Sequence, residues 1–373
     1  MIYLDYSATT KTSDEVLDTF IKVSKDYYGN PNSLHKLGVE SKKLIDSASK
    51  QINDLLGIDK EIIYTSGASE ANNMAIKGIA LKYKNRGKTI LVSPLEHSSV
   101  NEPINYLKTI GFNIEYLSVD KNGIINLDDL ENKITDETIL VSVNAVNSEL
   151  GILQPIKEIS NIVKKHNKCY FHSDITQAIG KIDIDISNID LVSFSAHKFF
   201  GIKGIGALIK NKNIEILPLI HGGKSTSIYR SGTPATPLIA SLSKALRLSL
   251  IDLDKKYKHV LELNNYLTEN LIKFEKVKIN SNKYSIPHIL NISVLDIKPE
   301  TFMHALEEYD IYISTKSACS TSNESNAVYL VTSDHQRALS SLRISISYKT
   351  TKEEIDKFIE VFGICYNKLI NLR

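Results

Sequence analysis

Five short runs of apolar and β-branched residues mark the first half of the chain: "EIIYTS", "TILVSP", "TILVSVNAV", "CYFHSD" and "LVSFSA". Each is separated from the next by amphipathic or connecting sequence, so they predict buried strands. Such strands belong to a mainly parallel sheet covered by helices, an α/β fold. Ligands of these sheets collect at the carboxyl ends of the strands. The predicted ends are Ser66, Ser93, Asn147, Asp174 and Ser195, and all five are polar.

Helical patterning fills the rest. "KTSDEVLDTFIKVSKDYYGNPNS" reads as a helix with a Ser or Thr cap and an acidic first turn, stopped by Gly29 and Pro31. A second helix runs from about His35 to Leu56 and ends at Gly57, and the stretch from Pro237 to Phe274 is largely helical. Beyond it, "KVKIN", "HILNISV", "IYIST" and "SLRISISY" predict strands, with helices near Glu300 to Glu308 and Lys352 to Leu372. That tail has its own strand and helix set. The expected organisation is a large domain over residues 1–254 and a smaller α+β domain over 255–373, with residues 1–15 packing against the smaller one.

Composition changes this picture little. Over 373 residues, 45 basic and 43 acidic side chains leave a formal charge of +2, which gives no electrostatic reason to expect nucleic acid or a membrane as partner. Cys169, Cys319 and Cys365 lie far apart without metal-ligand or redox spacing, so neither a metal site nor a disulfide framework is predicted. "MIYLDYSATT" carries no targeting pattern, and no apolar run approaches the roughly 20 residues that span a bilayer, so a cytoplasmic protein is expected.

The chemistry concentrates at the strand ends. Lys198 in "SFSAHKFFGIKGIGALI" lies between an apolar strand and "FFG", a setting in which a lysine can lose its proton and attack a carbonyl. The glycines that follow have the wrong order for a dinucleotide loop, and the sequence after them reads as strand. Asp174 alone would most often be a helix cap. Beside a carbonyl-trapping lysine it has a sharper use, since pyridoxal phosphate needs a carboxylate against its ring nitrogen. "YTSGASEANN" follows another strand with a small-residue turn and a helix start. Read plainly, that start is capped by Ser66; read for chemistry, its free amides and Ser69 suit a phosphate. His97 can stack on a flat cofactor and handle protons, and Asn147 can donate to a phenolic or carboxylate oxygen.

In the polar stretch "SACSTSNES", Cys319 has none of the apolar neighbours of a packing cysteine. Together, "YLDYSATT", "GNPNSLHKLG", "TSGASEANN", "EH" at 96 and 97, "VNSELG", "HSDITQAIGK", "SFSAHKFFGIKGIGAL", "RSGT", "SACSTS" and "LRISIS" resemble, in order and spacing, the cysteine desulfurases. These are pyridoxal-phosphate enzymes of the class V aminotransferase group on the fold-type I scaffold, and the resemblance covers essentially the whole chain.

The resemblance implies Lys198 as the Schiff-base lysine, Asp174 as the ring-nitrogen partner and His97 as the stacking residue. Asn147 and Gln177 would bond near the ring oxygen. The phosphate would be held by Ala68, Ser69, Ser195 and His197, and by Thr233 of a second subunit, which implies a homodimer. Arg343 would grip the carboxylate of L-cysteine, with Asn147 beside it. Cys319 would take the substrate sulfur as a persulfide, helped by His97 as proton acceptor and by the charge of Lys316, and pass it to an acceptor protein of iron–sulfur assembly or thiolation. Its loop is expected to be mobile.

Departures from the family pattern are Lys11 for proline, Ala196 for glycine, and Lys224, Ser225 and Thr226 in the glycine-rich "HGGKSTS" loop. Alternatives are a selenocysteine lyase or aminotransferase on the same scaffold, and a sulfur-carrying scaffold without catalysis.

Overall fold

The computed structural model describes residues 1–223, 227–315 and 324–371. It opens with β1 (Ile2–Tyr3), α1 (Asp14–Asp26) and α2 (Lys36–Leu56). An alternation follows: β2 (Glu61–Thr65), α3 (Ala68–Tyr83), β3 (Thr89–Val92), α4 (Ser98–Thr109) and β4 (Asn113–Tyr116). It continues through α5 (Leu127–Lys133), β5 (Thr138–Ser142), α6 (Ile156–Val163), β6 (Tyr170–Asp174), β7 (Leu191–Ser195) and β8 (Gly206–Lys210).

β2 to β8 form one seven-stranded sheet in the order β2-β8-β7-β6-β5-β3-β4. β8 runs antiparallel to both its neighbours and the other pairs are parallel, so every strand except β8 ends at the same edge. β3, β5, β7 and β8 are buried along their whole length, as strands covered on both faces are. One apolar cluster covers one face, including Val141, Phe171, Val192 and Leu242, and a second, including Met74, Ile90, Ile104 and Leu140, covers the other. Burying each such Leu, Ile or Val side chain stabilises by roughly 1.5–3 kcal/mol. The edge strand β4 has only exposed and half-buried residues and no apolar run to announce it.

The predicted helix from Pro237 to Phe274 is two helices, α7 (Thr236–Leu250) and α8 (Leu253–Leu271). Asp252 between them has φ 53°, a left-handed conformation that ends one helix and redirects the next. After α8 come β9 (Val277–Ile279), β10 (Ile289–Val294), α9 (Pro299–Glu307), β11 (Ile311–Tyr312), α10 (Asn326–Thr332), α11 (His335–Leu339), β12 (Ser341–Ser345) and α12 (Lys352–Asn371). β12, β10 and β9 make an antiparallel sheet, and Val260, Ile292, Phe302, Ile344 and Phe358 belong to its core. The first residues of the chain join this part: β1 pairs in parallel with β11, and Asp5 bridges to Ser345.

Candidate active site

The lysine predicted to be reactive leaves β7 in a single tight turn, Ala196–Lys198. A Cβ on Gly201 would stand 2.6 Å from the Ala196 methyl, so glycine at 201 is what leaves room for alanine at 196. Lys198 Nζ donates to Ser7 O at 2.6 Å and to Ala8 O at 2.8 Å, fixing the lysine against the N-terminal segment.

β6 lies beside β7 and ends in Asp174. Its carboxylate is buried; Oδ2 accepts from Asn72 Nδ2 at 2.7 Å and Oδ1 from the Thr176 N–H at 2.9 Å. Asn72 also donates to Ser99 Oγ at 2.9 Å, tying α3 and the start of α4 to the aspartate. These bonds hold the carboxylate aimed, as a partner of a ring nitrogen must be.

His97 caps α4, and its Nδ1 accepts from the Ser99 N–H at 3.1 Å. Burial holds the imidazole below the usual histidine range, Asp174 pulls it upward and Lys198 downward, so it is neutral near pH 7. With Nδ1 engaged, the ring proton sits on Nε2. His97 therefore presents a flat face and a donor, and acting as a proton acceptor requires the Ser99 N–H to let go. Its neighbour Glu96 accepts from the Asn144 N–H at 2.5 Å. Burial first, then the nearby Asp174 charge, push the Glu96 carboxyl well above the usual carboxylate range, against the Asn144 bond that favours the ionised form.

The turn before α3 supplies an anion cradle. Gly67 rather than Ser66 is the cap; the Ser66 N–H instead donates to Glu70 Oε2 at 2.7 Å. The Ala68 N–H donates to Ser195 Oγ at 2.6 Å, which seats the helix on the end of β7. Gly206 makes that approach possible, because a Cβ there would come within 2.7 Å of Gly67 Cα. Ser69, in the first turn, lines the cavity below. His197 bonds Thr9 through Nδ1 at 3.0 Å, and burial with the Lys198 charge pushes it down to about 4, so it too is neutral.

Arg343 reaches the same place from β12. It is buried; Nη1 donates to Ser148 O at 3.0 Å and Nη2 to Asp5 Oδ1 at 2.9 Å. Gln177 Nε2 donates to Ser7 O at 2.9 Å. One cavity of about 260 Å³ is lined by Lys198, Asp174, His97, Ala68, Ser69, Ser195, His197, Gln177 and Arg343. Ser7 Oγ, Asn144 Oδ1, Thr176 Oγ1 and Arg343 Nε, all on residues lining it, are buried without a partner among the described residues. A chamber with so many unmatched donors and acceptors is shaped for a polar ligand.

Other expected residues lie elsewhere. Asn147 spends its side chain on the backbone, donating to Leu95 O and accepting from Glu149 and Leu150, and it is not among the cavity-lining residues; Asn144, three residues earlier, is. Thr233 is exposed and lines a separate groove with Arg230, whose Nε bonds Glu70 at 3.0 Å. Cys319 and Lys316 lie outside the described residues, as do Lys224, Ser225 and Thr226. Cys169 and Cys365 are buried, and burial raises both thiols, the form that neither attacks nor binds metal. The described residues hold no metal-ligating cluster and no helix long and apolar enough to cross a membrane.

The donor set fits pyridoxal phosphate: an amine at a strand end, an oriented carboxylate, a neutral imidazole face and a helix N-terminus with hydroxyls. Aminotransferase class-V is the family whose model matches residues 2–358, and the chain belongs to that family. Its likeness narrows to one activity within it. It is 39% identical over 369 residues to a cysteine desulfurase IscS of Clostridium botulinum, covering 96% of this chain and 93% of that one. A solved structure called a NifS-like protein superposes with a TM-score of 0.92 at 35% identity, over 97% of this chain and 98% of the other. A second, described as SspA in complex with cysteine, superposes at 0.81 with 32% identity, over 94% and 100%. Cysteine desulfurases and class V aminotransferases are pyridoxal-phosphate enzymes, and the fold is that of the fold-type I group.

Proposed function

We propose that this enzyme is a cysteine desulfurase that carries sulfur from L-cysteine to Cys319, with pyridoxal phosphate attached at Lys198. The observation that carries the reading is that Lys198, Asp174, His97 and Arg343 line one cavity although they come from four different elements. When bound, the cofactor supplies an electron sink that weakens the bonds at the substrate's α- and β-carbons.

The protein does the rest. Asp174, held by Asn72 and Thr176, would set a carboxylate against the ring nitrogen. Ala68, Ser69, Ser195 and His197 hold the phosphate at the start of α3, and because His197 is neutral the helix end meets most of the charge. His97 covers the ring. Arg343, already held by Asp5 and Ser148, offers its unpartnered Nε and remaining N–H groups to the substrate carboxylate. Lys198 Nζ would take the α-proton from the substrate and return a proton to that carbon before alanine leaves. The Cys319 thiolate attacks the substrate sulfur: an S–S bond forms, the C–S bond breaks, and its electron pair stays on the β-carbon, which a proton converts to the methyl of L-alanine. Atoms balance with cysteine and thiol entering, alanine and persulfide leaving.

The same proposal takes Thr233 to act in the cavity of a second copy, which makes the enzyme a homodimer. It places a domain division near residue 254, the protein in the cytoplasm, and a sulfur-acceptor protein of iron–sulfur assembly or thiolation as the partner. The test is release of alanine and sulfide from L-cysteine with a thiol reductant. The wild type forms both in equal amounts and Cys319→Ala forms neither; full desulfuration by the variant overturns the assignment.

A further inference from the structure

Lys181 is a buried lysine to which the proposed mechanism gives no part, 7% exposed, in the turn that follows β6. Its Nζ donates to Gln177 Oε1 at 2.5 Å, four residues back. Gln177 Nε2 donates onward to Ser7 O, and Ser7 O also receives Lys198 Nζ. A chain of three polar contacts thus runs from a lysine outside the cavity to the lysine inside it. The backbone enforces the first link: Gly180 has φ 71°, and a Cβ there would lie 2.6 Å from Ser249 Oγ on α7, so the turn is pressed against α7 and brings Lys181 back over Gln177.

A primary amide is nearly symmetric in shape, and only its partners decide which end faces where. Ser7 O can only accept, so the Gln177 nitrogen must face it, and a Lys181 Nζ–H meets the amide oxygen at the other end. Between them they set the Gln177 oxygen away from the cavity and its NH₂ toward it. The NH₂ has two hydrogens, one given to Ser7 O, which leaves the other for a ligand oxygen in the cavity.

We propose that Lys181 is a positioning residue that fixes Gln177 as a donor to the ring oxygen of the bound cofactor. The inference depends on the desulfurase reading, because it needs a cofactor with that oxygen in the cavity. Burial, followed by the charges of Lys198 and Arg343, pulls Lys181 well below the usual lysine range, and His288 is a further titratable group facing it. The chain thus keeps a poorly solvated amine against a glutamine where an apolar side chain would fill the space at lower cost.

The experiment is a titration of cofactor-stripped enzyme with pyridoxal phosphate, following the cofactor absorption band, for wild type, Lys181→Met, Gln177→Leu and the double variant. Lys181→Met is expected to weaken cofactor binding about tenfold and to shift the band, as Gln177→Leu does, with no further loss in the double variant. Lys181→Leu replaces the methionine variant should that protein not fold. An unchanged affinity and band in Lys181→Met, or an effect that adds in full to that of Gln177→Leu, overturns the inference and leaves the desulfurase reading intact. Wild type that forms no cofactor band overturns the reading itself.

Discussion

Asp5 Oδ1 lies 2.9 Å from Arg343 Nη2, so the buried guanidinium lining the cavity is paired with the fifth residue of the chain. The arginine side chain is 2% exposed and its partner 19%. Removing one member of such a pair leaves the other charged and poorly solvated. Asp5→Ala is therefore expected to lower stability by roughly 3 kcal/mol. Urea unfolding followed by circular dichroism checks it, and a change below about 1 kcal/mol would show that the pair contributes little.

Asp174 and Asn72 separate charge from orientation. Asp174→Asn keeps the shape and loses the charge, and kcat is expected to fall by about 10²–10³-fold. Asn72→Ala leaves the charge and removes one of its bonds, so a loss of about tenfold is expected. Steady-state alanine formation, with cofactor content measured on the same samples, distinguishes them; equal losses would mean that Asn72 does more than orient.

Because Cys169 and Cys365 are buried with raised thiols, a persulfide acceptor site at Cys319 predicts selective alkylation. Brief treatment of native enzyme with iodoacetamide is expected to label Cys319 alone, and labelling of the other two to require denaturant. Peptide mass spectrometry reads the sites, and early labelling of Cys169 would contradict it.

Three histidines that burial pushes to about 4 or below give the fold an acid limit. Burial pushes His172 and His197 down to about 4 and His288 down to about 3, while each takes up a proton near 6.5 once unfolded. Between those values the unfolded chain binds more protons, so stability falls as pH falls from about 6.5 toward 4. Glu96, raised by burial, works in the opposite sense and offsets part of this. Urea midpoints across that range should decline toward acid, and His172→Gln should make the decline shallower.

Much of this was legible because it rests on short-range pattern. Strands buried on both faces announced the sheet, and Lys198 and Asp174 stood at the ends of two of them. What the sequence hid was set by contacts between distant segments. Asn72 lies inside a helix, one turn past its cap, and its link to Asp174 depends on how α3 crosses β6. Asn147 has the residue type for a ligand contact, yet its side chain closes the turn that follows it. β4 lacked a signal because an edge strand half open to solvent needs no apolar run. Lys181 carries no mark in one dimension, since what matters is a glutamine one turn back and a glycine pressed against another helix.

The pairing of β1 with β11 also orders events during synthesis. Ile2 and Tyr3 find their strand partners only at Ile311 and Tyr312, and Asp5 meets Arg343 later still. While the ribosome works through the intervening three hundred or so residues, the carbonyls of Ser7 and Ala8 cannot be locked in place beside Lys198 by that pairing. Lys198 is thus framed as a site only after residues 311, 312 and 343 have been made, and a chain stopped before them would carry the lysine without the frame that aims it.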